Sequence, residues 1–470
     1  MKDIKIHHIH FIGICGVAMS ALAIAMQKAG YKVTGSDKGF FPPVSTHLIK
    51  HKINFYPGWH VDKMTHSTSS WPAGKGDPDL VVVGNVAGSK NPEWQYVQEK
   101  KLKYVSYPGL LKEFYIKKNS IVCAGTYGKT TTSSLLSYIL KQVEFEPSYM
   151  FGGLCVDENF LSAEINDGDW SVMEGDEYKT ARWDMSPKFS HYSPTHLLLT
   201  GLQWDHADIY PTEKEYFAAF DKLFKSIPEG GLIVMSENIN NLQSPVSGLK
   251  TYGKKQNADY KYYDINQTKQ GITFKIHNKN KTYQIQSDML GEYMAENITG
   301  CFAMAREIGI PAESIVENIK KFPGLKRRLE KRYSGSIDIY DDIAHSPAKA
   351  SFTLENLRKI YNKKIIAVFE PNTGNRQVES APSYKNAFKN ADEVIIPRLT
   401  KIKKDPTKPE PYDGENLTEV ISETHKNTKH IEGDNELVEY IYKSTTSGDV
   451  VVFLGSHGFR GMIDELIAKY

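Results

Sequence analysis

A chain of 470 residues is too long for one hydrophobic core and predicts about three domains of ~150 residues each. Hydrophobic residues at 40%, charged residues at 24% and a net charge of +2 describe ordinary globular chemistry, with no electrostatic footprint for a nucleic-acid partner. Cys15, Cys123, Cys155 and Cys301 are too scattered for a zinc site or a disulfide scaffold. No signal-peptide core and no apolar run of ~20 residues is present, so a cytoplasmic protein without a membrane partner is expected.

The first segment runs to residue 117. Ile4 to Ile12 predicts a strand, Gly13-Ile14-Cys15-Gly16 a turn, and an alanine-rich stretch a helix to Lys28 that Gly30 closes. A second strand starts at Tyr31 and ends in Gly35-Ser36-Asp37, completing the βαβ opening of a dinucleotide-type fold. Cys15 stands where the fingerprint wants its second glycine, which argues against a nicotinamide cofactor and leaves a nucleotide diphosphate open. Leu80 to Val83 predicts another buried strand, followed by Gly84-Asn85 and Asn91-Pro92-Glu93.

After a boundary marked by Tyr107-Pro108-Gly109 and the basic stretch Lys112 to Lys118, the apolar run Ile121 to Ala124 breaks into a glycine turn. Gly125-Thr126-Tyr127-Gly128-Lys129-Thr130-Thr131 follows, and Ser133 to Leu140 predicts a helix. Strand, glycine turn and helix N-terminus make an anion cradle, because unpaired N–H groups and the positive helix end face one point. Lys129 would reach the β/γ-phosphates of ATP and the Thr130 hydroxyl would bind Mg²⁺. Cys123 occupies the place of the usual first glycine, so the loop is a variant.

Two more predicted strands end in chemistry. Trp170 to Met173 runs into Glu174-Gly175-Asp176-Glu177, and His196 to Leu202 runs toward Asp205-His206-Ala207-Asp208. Ligands collect at the carboxyl ends of parallel strands, so both clusters can face the phosphate loop. Glu174 and His206 are the candidate Mg²⁺ ligands, with Asp176, Glu177, Asp205 and Asp208 further out or touching substrate. Taken singly, the acidic run reads equally as a solvated turn and His206 as a packing histidine; only the joint pattern points to a metal. Residues 251–288 alternate at period two and predict a small antiparallel insertion. After Phe322-Pro323-Gly324, strands at Ile337–Tyr340, Lys364–Phe369, Glu393–Ile396 and Val450–Leu454 alternate with helical stretches as a second α/β domain. Lys401 to Pro411 reads as a charged loop.

The loop, Glu174 within E-G-D-E, Asp205-His206 within D-H-A-D, Gly324-Leu325-Lys326-Arg327-Arg328 and Asp341-Asp342-Ile343-Ala344-His345-Ser346-Pro347 together resemble the Mur ligase family. These are ATP-dependent enzymes that join an amine to a carboxylate through an acyl-phosphate. The resemblance implies an α/β chain of three domains. A Rossmann-like domain (1–117) holds a UDP-sugar; a central P-loop ATPase-type domain with the insertion (118–323) holds ATP and Mg²⁺; a Rossmann-like domain (324–470) brings the amine or peptide. It implies catalytic roles for Lys129, Glu174, His206 and His345, and Mg²⁺ ligation by Thr130, Glu174 and His206. Nucleotide contacts would come from Gly125 to Thr131, Asn297, Arg328 and Asp342. Gly13, Cys15, Gly16, Ser36, Asp37 and Asn85 would hold the UDP-sugar, and Arg376 would meet phosphate or a peptide carboxylate. Arg327 is a second charge partner or else a surface arginine.

Within the family, several stretches are similar to the branch that joins the murein tripeptide L-Ala-γ-D-Glu-meso-diaminopimelate to UDP-N-acetylmuramate in peptidoglycan recycling. They are Gly13 to Gly16, Gly35 to Asp37, Phe41-Pro42-Pro43-Val44-Ser45-Thr46, Gly84-Asn85, Asp176 to Ala181, Lys188 to Tyr192, Asp205 to Ile209, Phe369 to Asn372 and Ser456 to Phe459. The implied partners are those two molecules, with neither nucleic acid nor membrane, and a monomer or weak homodimer. The branch that adds free L-alanine is the near alternative, an ATPase switch without ligation the remote one. Two departures stand out. A stretch usually reading Gly-x-His-Asn-x-x-Asn is Gly291-Glu292-Tyr293-Met294-Ala295-Glu296-Asn297, which of the histidine and two asparagines keeps only the last asparagine and offers Tyr293 for stacking. Phe220-Asp221-Lys222 stands where several relatives carry a carbamylated lysine, and no such modification is assigned.

Overall fold

The computed structural model describes residues 6–40, 44–65, 76–206, 209–239, 246–401 and 410–470. Phe41-Pro42-Pro43, Ala207, Asp208 and residues 402–409 of the charged loop lie outside the described residues. The backbone divides into two compact units. One comprises Met1–Asp264, Phe274–Gln286 and Ala295–Phe322; the other comprises Ile265–Thr273, Ser287–Met294 and Pro323–Tyr470.

The first unit opens with five parallel strands, β1 (His8–Ile12), β2 (Lys32–Asp37), β3 (Asn54–Pro57), β4 (Leu80–Val83) and β5 (Tyr104–Ser106), ordered β3-β2-β1-β4-β5. Near-continuous apolar strands covered on both faces are what a parallel sheet demands, and β1 and β4 are wholly buried. Register sets Ile12 beside Ser36 and Val83, so the glycine turn, Asp37 and Gly84-Asn85 leave the sheet at one edge. The Val17–Lys28 helix follows the turn as expected.

Beneath that edge lies Glu93, fully buried on the Pro92–Glu99 helix. It accepts hydrogen bonds from the Ser36 hydroxyl (2.5 Å), the Tyr56 hydroxyl (2.8 Å) and the His60 amide (2.8 Å), with His10 Nε2 at 3.7 Å. One carboxylate therefore ties β2, β3 and the chain after β3 together.

The larger sheet begins with β6 (Asn119–Ala124), β7 (Ser148–Met150), β8 (Ala163–Glu164) and β9 (Trp170–Gly175). A separate hairpin, β10 (Lys179–Ala181) with β11 (Asp184–Pro187), precedes β12 (His196–Leu199), β13 (Leu232–Ser236) and β14 (Leu249–Gly253). The alternating stretch becomes β15 (Tyr260–Thr268), β16 (Gly271–Asn278) and β17 (Lys281–Ser287), joined by two-residue loops that force antiparallel neighbours. It is continuous with the main sheet, whose order is β17-β16-β15-β14-β13-β12-β6-β9-β7-β8.

The second unit carries β18 (Glu330–Ser334), β19 (Asp338–Asp342), β20 (Ile365–Glu370), β21 (Glu393–Pro397), β22 (Thr428–Ile431) and β23 (Val450–Gly455), ordered β18-β19-β23-β20-β21-β22. All pairs are parallel except β18 with β19. Separate apolar clusters cover the two faces. The four expected strands are present, flanked by polar edge strands β18 and β22.

The Glu93 network carries an acid-stability prediction. Burial pushes its carboxyl up, but His10, Ser36 and the His60 amide outweigh burial and hold it below the usual 4.5. A carboxyl depressed in the folded state stabilises fully above its unfolded value, and that stability is lost as pH falls through the folded value. Glu93→Gln is expected to lose about 2 kcal/mol near neutral pH, because it leaves buried donors poorly paired. Urea unfolding from about pH 7 to about pH 3 should show a steeper decline below about pH 4.5 in the wild type than in the variant.

Candidate functional site

Three adjacent parallel strands create the site. In β12, β6 and β9, Leu199, Ala124 and Gly175 stand side by side, so the loops that follow emerge level with one another. The loop after β6 is the stretch that the sequence marks as a candidate phosphate loop. Gly125 has φ +135° and Gly128 φ +79°, conformations that side chains resist, and a Cβ at either would collide with Thr200 Oγ1 or Asn297 Oδ1 respectively. Thr126 is tied to the neighbouring loop through its amide to Gly201 O (2.8 Å) and its hydroxyl to Gln203 O (2.8 Å). Thr200 in turn donates to Tyr127 O. The Lys129–Gln142 helix starts at Gly128 without a side-chain cap, which leaves its first amides facing the loop mouth. Thr131 is buried in that first turn, whereas Tyr127 points outward and is exposed.

Lys129 folds back over its own loop. Its ammonium donates to Gly125 O (2.7 Å), Thr126 O (3.2 Å) and Glu177 Oε1 (3.1 Å). Glu177 is almost fully buried, and its Oε2 lies 3.0 Å from the same ammonium without accepting a hydrogen bond of good geometry. His206 Nε2 is 3.3 Å from Glu177 Oε1. That hydrogen bond outweighs burial and raises the imidazole above its ordinary value. Glu177 thus joins the loop lysine to the strand-end histidine, a role that the spacing of four residues in E-G-D-E could not assign.

Glu174 sits one residue from the end of β9. Its Oε1 accepts from Thr130 Oγ1 (3.0 Å) and its Oε2 from the Gly152 amide (2.6 Å). Burial pushes its carboxyl up, only partly offset by the Gly152 amide and Lys129, so a cation placed here would be favoured. Among the described residues no three His, Cys, Asp or Glu side chains converge as a metal cage. Mg²⁺ does not need one, because it takes one or two protein oxygens and fills the rest of its octahedron with phosphate and water. The Thr130 hydroxyl and Glu174 carboxylate, touching beside the loop, fit that donor set.

A cleft of about 280 Å³ leads from this cluster to the first sheet. One wall holds Gly13, Gly16, Gly84, Asn85 and Val86, the other Glu174, Asp176 and Lys188. The sequence-picked residues near the first sheet divide into two kinds. Asn85 is exposed, and its carbonyl accepts from Arg182 Nε (2.8 Å). Asp37 accepts from the Cys15 amide (2.8 Å) and so fixes the glycine turn. Burial, with Asp37 adding to it, pushes the Cys15 thiol up to about 12. Ser36 is fully buried and its hydroxyl is committed to Glu93, so it supports the turn from below.

In the second unit, Asp342 is buried and accepts from the Leu329 (2.7 Å) and Ala344 (2.9 Å) amides, while Arg328 is exposed. His345 Nδ1 donates to Ile343 O (2.7 Å), which leaves Nε2 as acceptor, and burial lowers its proton affinity. Tyr293 lies 5.1 Å from the Phe352 ring. Arg327 is not a loose surface arginine: it donates to Ser456 O (3.0 Å) and His457 O (2.8 Å) and pairs with Asp341 (3.3 Å). Arg376 is buried and donates to Tyr412 O (2.9 Å) and Thr400 O (2.7 Å), so two of its donors hold loops.

Comparison with known proteins places this geometry. Residues 8–118 match the model described as Mur ligase family, catalytic domain; residues 123–305 match the Mur ligase middle domain; residues 327–457 match the Mur ligase, glutamate ligase domain. The chain belongs to the Mur ligase family. It is similar to the UDP-N-acetylmuramate–L-alanyl-γ-D-glutamyl-meso-2,6-diaminoheptandioate ligase of Escherichia coli, 30% identical over 98% of this chain and 97% of that one. It is also similar to the UDP-N-acetylmuramate–L-alanine ligase of Dictyoglomus turgidum, 28% identical over 98% of this chain and 96% of that one. The crystal structure of the UDP-N-acetylmuramate–alanine ligase of Thermotoga maritima shares the fold with a TM-score of 0.79, at 24% identity over 98% of this chain and 99% of that one. Mur ligases are ATP-dependent enzymes that form an amide bond, and this chain is one of them. No helix among the described residues is long and apolar enough to cross a membrane.

The phosphate loop makes the sharpest test of the site. Gly128→Ala forces a left-handed alanine against Asn297, which costs about 1–2 kcal/mol locally. Titration with ATP should show affinity reduced about 10-fold or more, with the circular dichroism of the fold retained.

Proposed function

We propose that this Mur ligase joins L-Ala-γ-D-Glu-meso-diaminopimelate to UDP-N-acetylmuramate, as a step in peptidoglycan recycling. The observation that carries the reading is the single cleft that puts the Gly13–Gly16 turn of the first sheet opposite Glu174 beside the phosphate loop. A sugar nucleotide lying across it would present its lactyl carboxylate to the γ-phosphate of ATP. Similarity over nearly the whole chain to the Escherichia coli tripeptide ligase supports the peptide as amine. Similarity at 28% identity to an L-alanine ligase supports the second reading, in which free L-alanine is the amine.

The residues divide the work. In this reading residues 1–117 hold the UDP-sugar, 118–323 the nucleotide and 324–470 the peptide. Gly13, Gly16 and Asn85 would receive the UDP-sugar, with Cys15, Asp37 and Ser36 fixing the turn that does so. Gly125 to Thr131 would wrap the phosphates, and Lys129 would exchange its loop carbonyls for γ-phosphate oxygens while Glu177 keeps it oriented. Thr130, Glu174 and His206 would hold Mg²⁺, which supplies neutralisation of phosphate charge. Asn297, Arg328, Asp342 and His345 would take the rest of the nucleotide, with Tyr293 beside the base. The carboxylate oxygen bonds to the γ-phosphorus as ADP leaves. The alanyl amine then bonds to the acyl carbon, loses a proton and expels phosphate. Arg376, held by two carbonyls, would turn remaining guanidinium donors to the peptide.

ADP release from ATP and Mg²⁺ with UDP-N-acetylmuramate tests the assignment by changing only the amine. Turnover with the tripeptide and none above background with L-alanine is expected. Turnover with L-alanine alone would move the chain to the second reading, and release indifferent to either amine would sink both.

A further inference from the structure

The cleft between the glycine turn and Glu174 poses an electrostatic problem. Two of its lining residues, Glu174 and Asp176, are carboxylates, yet in the proposed reaction the group that must enter is a third carboxylate. Like charges at such separations repel strongly where water is scarce. Of the fourteen lining residues, Lys188 alone is cationic. Lys129 is no substitute, since in the proposed reaction the donors it now gives to Gly125 O and Thr126 O pass to the γ-phosphate and the third stays with Glu177.

Lys188 is built into its position. It begins the short helical turn after β11, and its amide donates to Tyr178 O (3.1 Å). Its ammonium donates to Asp176 Oδ2 and lies 5.6 Å from the Tyr178 ring centroid. The side chain is 16% exposed, so the charge is largely desolvated. Asp176 is itself held, because its Oδ1 accepts the Tyr178 amide (2.9 Å) and the Phe189 amide donates to its carbonyl (3.2 Å). An ammonium has three donors and Asp176 takes one. The cleft wall beside it carries Thr180 and Glu174, while the far wall is apolar and glycine-rich. A sugar fits the far wall; an acid fits the near one.

We infer that Lys188, held by Asp176, binds the carboxylate of the sugar-nucleotide substrate and sets it against the phosphate loop. This rests on the proposed ligase reading and adds the residue that selects an acid over a neutral sugar nucleotide. The ammonium donates to the carboxylate before phosphoryl transfer and to the acyl-phosphate oxygens after it, and makes no covalent bond in either step. Neither Asp176 nor Lys188 needs to move, since the hydrogen bond between them takes one of three ammonium donors and Lys188 already lines the cleft.

The test compares two ligands that differ by the lactyl ether, UDP-N-acetylmuramate and UDP-N-acetylglucosamine, titrated against the full chain. Lys188→Met should weaken the acid about 10- to 100-fold while changing the neutral ligand less than about twofold. Lys188→Arg, which keeps charge and the Asp176 pair, should recover most of the lost affinity. Equal weakening of both ligands would show a merely structural lysine and overturn the inference, as would no weakening of either. If the wild type bound both ligands equally, the ligase reading itself would fail. If the wild type prefers the acid and Lys188→Met keeps that preference, only the Lys188 assignment falls.

Discussion

Everything in the larger sheet depends on one constraint, the level parallel register of β12, β6 and β9. Parallel pairing in register brings Leu199, Ala124 and Gly175 abreast, so three loops with unrelated sequences begin at one height. A one-residue slip would turn each strand's buried side chains to the wrong face. It would also separate Lys129 from Glu177, and Thr130 from Glu174. The site's geometry is therefore protected by the same apolar burial that holds the sheet, and β6 is buried along nearly its whole length.

Charge is distributed over that frame in layers. Lys129 neutralises Glu177, which in turn holds His206; Lys188 neutralises Asp176; Glu174 is left with only a hydroxyl and an amide. Such an arrangement leaves one half-buried carboxylate short of a cation beside a loop short of an anion. A metal–nucleotide complex would satisfy both deficits at once. The first sheet repeats the logic on a smaller scale, with Glu93 as the buried anchor that holds the strand end beside the glycine turn from beneath.

Much of this was legible in the sequence, for physical reasons that differ by element. The phosphate loop is legible because a buried strand, two glycines and a helix start leave few alternatives. The strands of the second unit are legible where they are central and apolar, as in Ile365 to Glu370. β18 and β22 escape because they are edge strands of mixed polarity, whose pairing on one side only imposes no pattern. Residues 251–288 show period-two alternation, but a local pattern cannot reveal that they extend the main sheet. Among candidate site residues, Glu174 is picked out by its strand end. Glu177 and Lys188 matter through partners 48 and 12 residues away, a closeness that only the folded chain creates. Ser36 and Arg376 look like ligand contacts from their motifs, yet both are buried and engaged by the protein itself.

The central claim is that this site transfers phosphate to a carboxylate. Isotope tracing examines it most directly, with UDP-N-acetylmuramate carrying ¹⁸O in its lactyl carboxylate and the complete ligation mixture. Direct attack of that carboxylate on ATP predicts one ¹⁸O atom in each inorganic phosphate released. Amide formation with phosphate free of label would contradict the acyl-phosphate route and the account built on it.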